Sequence, residues 1–296
     1  MRYRVTHTTT YHYREAVDLA SHLLHLTPRA LPGQLVLAAA LEADPAPARI
    51  TTGADHFGND VTWMFIETPH DRFRLTLRAE VEAEFPPPPP SHATPPWEEV
   101  AAIAARPGGE GWRAAEFALP SAMAPADPTA GAYAAESFPP GRPVLAGLLD
   151  LKARIRRDFT FRPGVTTVST PVAQVLASRA GVCQDFAHVM IAGLRQLGLP
   201  ARYVSGYVRT CPRPGQPRRK GADQSHAWVG AWLGPAHGWV DLDPTNGLVV
   251  RDEHVVLGWG RDYADVSPLR GVLLGGGAHT LSVAVDLEPV GEEFAA

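Results

Sequence analysis

The first 85 residues alternate apolar and polar positions with the two-residue period of a strand that is buried on one face. RLTLRAEVEAEF (74–85) alternates cleanly, and RYRVTHTTTYHYRE (2–15) and LVLAAALEADP (35–45) continue the pattern with β-branched, aromatic and alanine residues. The Gly-Asn pair in HFGND (56–60) is typical of a turn between two strands. Residues 1–85 are therefore predicted to form a small antiparallel β domain, a β-sandwich.

This pattern breaks at residue 86. PPPPPSHATPP (86–96) suits neither a sheet ladder nor a helix interior, so it is predicted to be a stiff polyproline II segment. The residues that follow are rich in Pro, Ala and Gly and contain one or two short stretches with helical character. We expect residues 86–142 to be a linker with short helices. No repeat of fixed period is visible along the chain.

From residue 143 the apolar positions recur with helical spacing. VLAGLLDLKARIRRDF (144–159) predicts an amphipathic helix. A second helix is expected between Pro171, which suits the first helical position, and Gly181, which is typical of a helix stop. A third helix is expected from about Val182, because the apolar residues after it form one stripe that begins at Phe186.

Three strand-like segments follow the third helix: ARYVSGYV (201–208), SHAWVGAWL (225–233) and GWVDLDPT (238–245). A Gly-rich stretch then leads to a last predicted strand in TLSVAVDLEPV (280–290). Helices followed by strands, after a β domain, predict an α+β fold. We expect residues 143–296 to form the second domain.

Charge and composition exclude several classes of function. The formal net charge of −4 and the pI of about 6.3 give no global positive field, so neither nucleic acid nor an anionic membrane is an expected partner. The longest apolar run (35–41) is too short to cross a bilayer, and the first residues have no apolar signal-peptide core. We therefore expect a cytoplasmic protein in a reducing compartment.

The chain contains only two cysteines, Cys183 and Cys211. Cys183 is expected in the first turn of the third helix, where free backbone N–H groups and the helix dipole favour a thiolate. Cysteine also packs well as a small buried residue, so position alone leaves nucleophile and core filler equally open. Cys211 lies in a Pro- and Arg-rich segment and is predicted to be an exposed bystander thiol.

A thiolate nucleophile needs a proton acceptor and a group that orients this acceptor. His226 begins one predicted strand and Asp243 ends the next, so antiparallel pairing of the two strands would bring them together. Asp241 shares a face with Asp243 and competes as the orienting carboxylate, and spacing does not decide between the two. A strand histidine and an aspartate before proline also occur as purely structural residues.

Other polar residues near Cys183 are predicted to be structural. Asp185 suits a cap of the third helix, and His188 points away from Cys183 around that helix. A zinc site built from both cysteines and nearby histidines is not favoured, because closely spaced Cys or His pairs are missing. No metal or cofactor is therefore expected. The basic segment RPGQPRRKG (213–221) is either a solvated loop or a lid that meets a substrate carboxylate.

Three ordered blocks carry a resemblance to a known family. RAGVCQDFAHVMIAGLRQLGLPARYVSGYV (179–208), SHAWVGAWL with GWVDLDPTNG (225–247) and GWGRDYADVSPLRG (258–271) resemble the bacterial transglutaminase-like superfamily of papain-like cysteine peptidase folds. HTTTYHY, HLLHLTPR and DHFGNDVTW resemble the β domain that often precedes this core in bacterial members. The resemblance implies that residues 143–296 form a transglutaminase-like core, with the nucleophile helix packed on an antiparallel sheet.

The resemblance also implies the roles of a catalytic triad. The nucleophile of the family falls on Cys183, its base on His226 and its orienting acid on Asp243, a choice over Asp241 that spacing could not make. A peptide or protein is the implied substrate. Four aromatic residues of these blocks are our candidates for substrate binding: Trp228, Tyr207, Trp259 and Tyr263.

The chain departs from the animal transglutaminases at the oxyanion site. Those enzymes use an upstream tryptophan there, whereas no tryptophan lies between Trp112 and Cys183, and no EF-hand-like calcium loop is visible. We therefore expect hydrolysis of a peptide or amide bond through a thioester, with transfer to an amine as the alternative. Two further hypotheses are an inert binding or scaffold protein, and a partner module whose residues 1–85 recognise a protein.

Overall fold

The structure is a computed structural model that describes residues 1–209 and 224–291. Its N-terminal sheet is built around one long strand, β1 (Arg2–Leu24). Side chains of β1 alternate between buried and exposed along most of its length, as the sequence predicts. The next four strands are β2 (Gln34–Asp44), β3 (Arg49–Ala54), β4 (Asp60–Ile66) and β5 (His70–Ala83).

The two ends of the chain complete this sheet together. The first half of β1 pairs with β5 on one side and with β14 (His279–Pro289) on the other. The second half of β1 pairs with β4 and with β13 (Leu269–Gly275), and every pairing is antiparallel. One hydrophobic cluster joins side chains from both halves. Residues 1–85 therefore contain only part of the sheet, because two of its strands come from the C-terminal region.

Six helices lie between the N-terminal strands and the second sheet. They are α1 (Trp97–Ala105), α2 (Trp112–Ala115), α3 (Pro128–Ala135), α4 (Val144–Asp158), α5 (Val172–Ser178) and α6 (Cys183–Gln196). The segment expected to be a linker contains α1–α3, joined by irregular stretches, and buried residues of these helices belong to the same hydrophobic cluster as α4 and α6. No helix in the described ranges is long and apolar enough to span a membrane.

The second sheet has five antiparallel strands in the order β11-β10-β9-β8-β12. They are β8 (Ala201–Val208), β9 (Gln224–Trp232), β10 (Trp239–Asp243), β11 (Leu248–Val249) and β12 (His254–Gly260), while β6 (Thr160–Phe161) and β7 (Ala180–Gly181) form a short parallel pair. Apolar residues of β8–β10 pack with α6, and Tyr207, Val255 and Leu257 pack with the N-terminal sheet. These layers confirm the α+β class.

Two buried amide side chains fix the N-terminal sheet against β12. Gln34 pairs with the backbone of Val256, accepting from its N–H at 2.7 Å and donating to its carbonyl at 2.8 Å. Asn59 makes the same double contact with the backbone of Trp259, at 2.9 and 2.8 Å. The register of β12 shifts between these two contacts, at a bulge between Val256 and Gly258. The amides thus satisfy backbone groups around the bulge and set the position of one sheet on the other.

Candidate active site

Helix α6 begins at Cys183, and the side chain of Asp185 in its first turn caps this helix end. The Val182 N–H donates to Asp185 Oδ2 at 2.7 Å, and the Thr166 hydroxyl donates to the same oxygen at 2.7 Å. The predicted role of Asp185 as a helix cap is confirmed. A carboxylate in the first turn also satisfies backbone donors that the helix leaves free.

Gly181 has a different role from the predicted one. The preceding helix α5 ends at Arg179, which adopts a left-handed conformation with φ of 51°, so Gly181 is not its stop. A Cβ atom on Gly181 would lie 2.6 Å from Asp185 Oδ2. Glycine is needed here because the capping carboxylate approaches the backbone closely, and the start of α6 depends on that approach.

His226 and Asp243 meet across neighbouring strands. Strands β9 and β10 pair with Leu242 opposite Val229, which places Asp243 one step diagonally from His226. His226 Nε2 donates to Asp243 Oδ2 at 2.8 Å, and both side chains are buried. Oδ1 of Asp243 accepts the backbone N–H groups of Thr245 and Asn246 at 2.9 and 3.0 Å. The turn after β10 thus holds the carboxylate in place.

Asp241 hydrogen-bonds to a residue other than His226. Its Oδ2 accepts the indole N–H of Trp228 at 3.0 Å, and its Oδ1 lies 3.5 Å from a guanidinium nitrogen of Arg202. Both aspartates follow the same alternation along β10, yet only Asp243 hydrogen-bonds to His226. The geometry therefore separates the two carboxylates that spacing left equal.

Cys183 lies near His226, because both line one cavity and Cys183 acts on the pKa of the imidazole. Burial lowers the pKa of His226, but the hydrogen bond to Asp243 and the interactions with Cys183 outweigh this effect and raise the pKa to about 10. Burial opposes ionisation of Asp243, yet the hydrogen bonds from His226 and His254 hold its pKa well below the usual range. The raised pKa of His226 favours a protonated imidazole, which lies beside the Asp243 carboxylate and near the Cys183 sulfur.

Two residues beside Asp243 were missed in the sequence analysis. Asn246 Nδ2 donates to Asp243 Oδ2 at 2.7 Å, and His254 Nε2 lies 3.4 Å from the same oxygen. Asn246 stands three positions after Asp243 in the DPTNG turn, which is a usable local signal. His254 lies on β12, two strands away from β9 in the sheet order, and no sequence feature linked it to Asp243.

Among the described residues, His226, Asp243 and His254 are also close enough to share a metal ion, with candidate ligand atoms within 4.8 Å of one another. The same Nε2 and Oδ2 atoms already join His226 to Asp243 by a hydrogen bond. Two histidines and a carboxylate could make up a catalytic zinc site in number, but a His226 Nε2 that carries the proton of this hydrogen bond cannot bind a metal ion at the same time. We therefore treat the three residues as one hydrogen-bonded group.

A cavity of about 500 Å³ opens beside Cys183 and His226. It lies where the start of α6, strands β8 and β9 and the N-terminal sheet meet. Helix α6 and strands β8 and β9 contribute Cys183, Gln184, Tyr203, Ser205, Ser225 and His226, and strands β1 and β14 contribute His7, Thr9, Tyr11, Leu281, Val283 and Val285. The cavity is large enough for part of a peptide-sized substrate.

Of the four aromatic residues expected to bind substrate, the structure brings Tyr263 into this cavity. Trp228 is fully buried, its ring 6.1 Å from that of His226 and 5.2 Å from that of His254. Trp228 therefore packs beside the triad and does not line the cavity. Spacing placed Trp228 on the strand of His226 but could not show that other strands cover it.

Tyr207 and Trp259 also lie outside the cavity lining. Tyr207 is fully buried, and its hydroxyl lies 2.7 Å from Nδ1 of His7. Trp259 lies between the guanidinium groups of Arg29 and Arg202, which stand 3.7 and 3.8 Å from its ring centroid. Both aromatic residues therefore join the second sheet to the parts of the chain packed against it.

His188 is buried, as its predicted structural role requires. Its Nε2 accepts the backbone N–H of Tyr263 at 3.3 Å. Burial, only partly offset by the charge of Asp262, lowers the pKa of His188 to about 4, so the neutral ring can act as an acceptor. Cys211 and the basic segment 213–221 lie outside the described residues, and their predicted roles stay predictions.

Comparison with known proteins agrees with this architecture. Residues 3–82 match the family model of the bacterial transglutaminase-like N-terminal region, and residues 133–244 match that of the transglutaminase-like superfamily. An uncharacterized protein of Mycobacterium tuberculosis is 43% identical over 97% of this chain and 93% of its own length. An uncharacterized protein of Mycobacterium leprae is 34% identical over 97% of this chain and 98% of its own length.

Two further similarities are a local match in sequence and a match in fold. A protein-glutamine gamma-glutamyltransferase of Pseudomonas aeruginosa is 34% identical over 88 residues, which are 29% of this chain and 13% of that protein. The crystal structure of a candidate cysteine protease from Cytophaga hutchinsonii shares the fold, with a TM-score of 0.77 and 21% identity over 99% of this chain and 92% of that one. The chain belongs to the transglutaminase-like superfamily, with the bacterial transglutaminase-like region at its N-terminus.

Proposed function

We propose that the protein is a cysteine-dependent enzyme that cleaves an amide bond of a peptide or protein through a thioester intermediate. One observation carries this proposal. His226 hydrogen-bonds to Asp243, Cys183 helps to raise the pKa of His226, and Cys183 and His226 line one cavity that a substrate can enter. Nucleophile, base and orienting carboxylate thus stand in the order that acyl transfer to a thiol requires.

In the first half of the reaction, the Cys183 thiolate attacks the carbonyl carbon of the substrate and a carbon–sulfur bond forms. The tetrahedral intermediate collapses when the carbon–nitrogen bond breaks. The departing amine takes a proton from His226, and an acyl thioester remains on Cys183. Asp243 keeps the imidazole oriented during this transfer and stabilises its charge.

The oxyanion of the intermediate needs two hydrogen-bond donors. The backbone N–H of Cys183 is one, because the first residue of a helix has no intrahelical acceptor. We assign the second to the hydroxyl of Tyr203, a residue of β8 that lines the cavity and interacts electrostatically with Cys183. Within the described ranges, no hydrogen-bond partner of this hydroxyl is found. Tyr203 would thus take the place of the tryptophan of the animal enzymes.

In the second half, His226 removes a proton from water, the resulting hydroxide attacks the thioester, and the carbon–sulfur bond breaks to give a free acid. We propose water because the chain lacks the upstream tryptophan of the cross-linking animal enzymes. Transfer to an amine is the second candidate. Local similarity to a protein-glutamine gamma-glutamyltransferase supports it.

A peptide-library digest analysed by mass spectrometry tests the proposal, with and without an added primary amine. Free acids as the only products support hydrolysis, and amine adducts support transfer. Cys183→Ala is the control, and neither product should form with it. If the folded wild-type protein yields neither product and its Cys183 resists thiol reagents at neutral pH, the enzyme hypothesis fails and the inert scaffold hypothesis is favoured.

Location and partners are separate proposals. The cytoplasmic location expected from the sequence stays a prediction, and cell fractionation with an antibody against the protein tests it. Recognition of a protein partner through the N-terminal sheet also stays a proposal. A binding experiment should use the whole chain, since residues 1–85 lack the two strands that complete this sheet.

A further inference from the structure

We propose that β14 and the first half of β1 form the subsite for the substrate's acyl group, and that this subsite accepts an uncharged, apolar group. This inference rests on the proposed function, because it assumes that Cys183 is the residue acylated. It adds the chemical class of the substrate. It also assigns specificity to the two ends of the chain, not to the helix and strands that carry the triad.

The first observation is the position of three aliphatic residues on β14. Leu281, Val283 and Val285 occupy alternate positions and all line the cavity that contains Cys183. Leu281 and Val283 are 53% and 51% exposed. Since the exposed surface faces the same cavity as Cys183, an apolar group bound to the enzyme would cover it.

Strand β1, which pairs with β14, adds polar but uncharged side chains to this side of the cavity, and the two strands together form one wall of it. In the register of β1 with β14, His7 stands opposite Val285, Thr9 opposite Val283 and Tyr11 opposite Leu281. Nδ1 of His7 lies 2.7 Å from the Tyr207 hydroxyl, and its Nε2 lies 3.0 Å from the Thr9 hydroxyl. Burial lowers the pKa of His7 to about 4, so this ring is neutral near pH 7. The wall supplies hydrogen-bonding groups without charge.

The second observation is the charge of the whole lining. In residues 1–209 and 224–291, no Asp, Glu, Lys or Arg lines the cavity. Beside Leu281 and Val283 a charged acyl group would lose its hydration with no Asp, Glu, Lys or Arg among these lining residues to offset the loss, which is costly. An aliphatic group would instead gain from burial against Leu281 and Val283. The cavity should therefore discriminate by charge more strongly than by length.

The test compares two alkylating probes of equal length. N-butyl iodoacetamide ends in a methyl group, and N-(3-carboxypropyl) iodoacetamide ends in a carboxylate. In each reaction the Cys183 sulfur forms a bond to carbon and iodide leaves. Rates of labelling at Cys183 are measured by peptide mass spectrometry at pH 7, and each is divided by the rate with plain iodoacetamide. This division removes differences in the reactivity of the thiol itself.

We expect the butyl probe to label the wild-type protein about tenfold faster than the carboxylate probe, a ratio equivalent to about 1.4 kcal/mol. In Val283→Lys the ratio should fall to about one or below, and Leu281→Lys provides a second variant at a similarly exposed site. Leu274→Lys is the matched control. Leu274 is an aliphatic residue on β13, 63% exposed and outside the cavity lining, so the wild-type ratio should persist.

Equal rates for the two probes in the wild-type protein would overturn the subsite. So would a ratio that changes equally in Val283→Lys and Leu274→Lys. Failure of plain iodoacetamide to label Cys183 in the folded protein would instead overturn the proposed function, and this inference with it. Labelling at Cys211 is separated by peptide mapping and by the Cys183→Ala variant.

Discussion

His226 and Asp243 are joined by a hydrogen bond of 2.8 Å between neighbouring antiparallel strands, and Asp243 has no exposed surface. The carboxylate accepts five hydrogen bonds or close polar contacts, including those from Asn246 and His254. A buried carboxylate is stable only with such partners. The orientation of the imidazole beside Cys183 therefore depends on the turn that follows β10.

Asp243→Asn should lower kcat by roughly 10²–10⁴-fold, because a neutral amide no longer holds the imidazolium or its orientation. Activity and iodoacetamide labelling of Cys183 measure the effect, and circular dichroism checks the fold. Asp241→Asn is the matched control on the same strand, since Asp241 contacts Trp228 and not His226. If the two variants lose the same activity, Asp243 has no special role.

The stability that His226 provides should depend on pH. Its pKa is raised in the folded state to about 10, so its contribution is fully present below the unfolded value of about 6.5 and is lost as pH rises toward 10. The difference in the free energy of unfolding between wild type and His226→Gln should shrink across this range. Urea unfolding at several pH values measures it, and a difference that grows with pH would contradict the assignment.

Asp243 should act in the opposite direction. Its folded pKa is lowered, so its contribution is present above the unfolded value of about 3.8 and is lost as pH falls below that value. Wild type should therefore lose stability in acid more steeply than Asp243→Asn. Acid unfolding followed by tryptophan fluorescence measures both curves, and identical slopes would argue against a charged carboxylate in the folded state.

Tyr203→Phe should lower kcat by about 10²–10³-fold with little change in KM, because its hydroxyl would act only on the oxyanion. Tyr207→Phe is the control on the same strand. The Tyr207 hydroxyl contacts His7, so this change should cost about 1 kcal/mol of stability and leave kcat largely intact. An equal loss of kcat in both variants would remove Tyr203 from the oxyanion site.

Gly181→Ala should destabilise the protein by roughly 1–3 kcal/mol, since the new Cβ atom would approach Asp185 Oδ2 to 2.6 Å and disturb the cap of α6. Activity should fall as well, because Cys183 is the first residue of that helix. Urea unfolding and the rate of Cys183 labelling are the measurements. Unchanged stability would show that the capping carboxylate moves without cost.

The local features of the site could be predicted from sequence. The cap of α6 by Asp185, the strands that carry His226 and Asp243, and the buried role of His188 all follow from spacing within a few residues. The substrate-binding role of the aromatic residues could not be predicted in this way. An aromatic residue on a strand has the same local pattern whether it lines a cavity, as Tyr263 does, or is covered by other elements, as Trp228 is.

By itself the sequence determined the periodicity of its strands and helices, the start of helix α6 and the order of Cys183, His226 and Asp243. Tertiary structure decided which aspartate meets His226, and that β13 and β14 return to β1 to build a wall opposite Cys183. The reason is physical. Period and capping depend on neighbouring residues, whereas pairing between the two ends of a chain leaves no local pattern, because it depends on surfaces that exist only after folding.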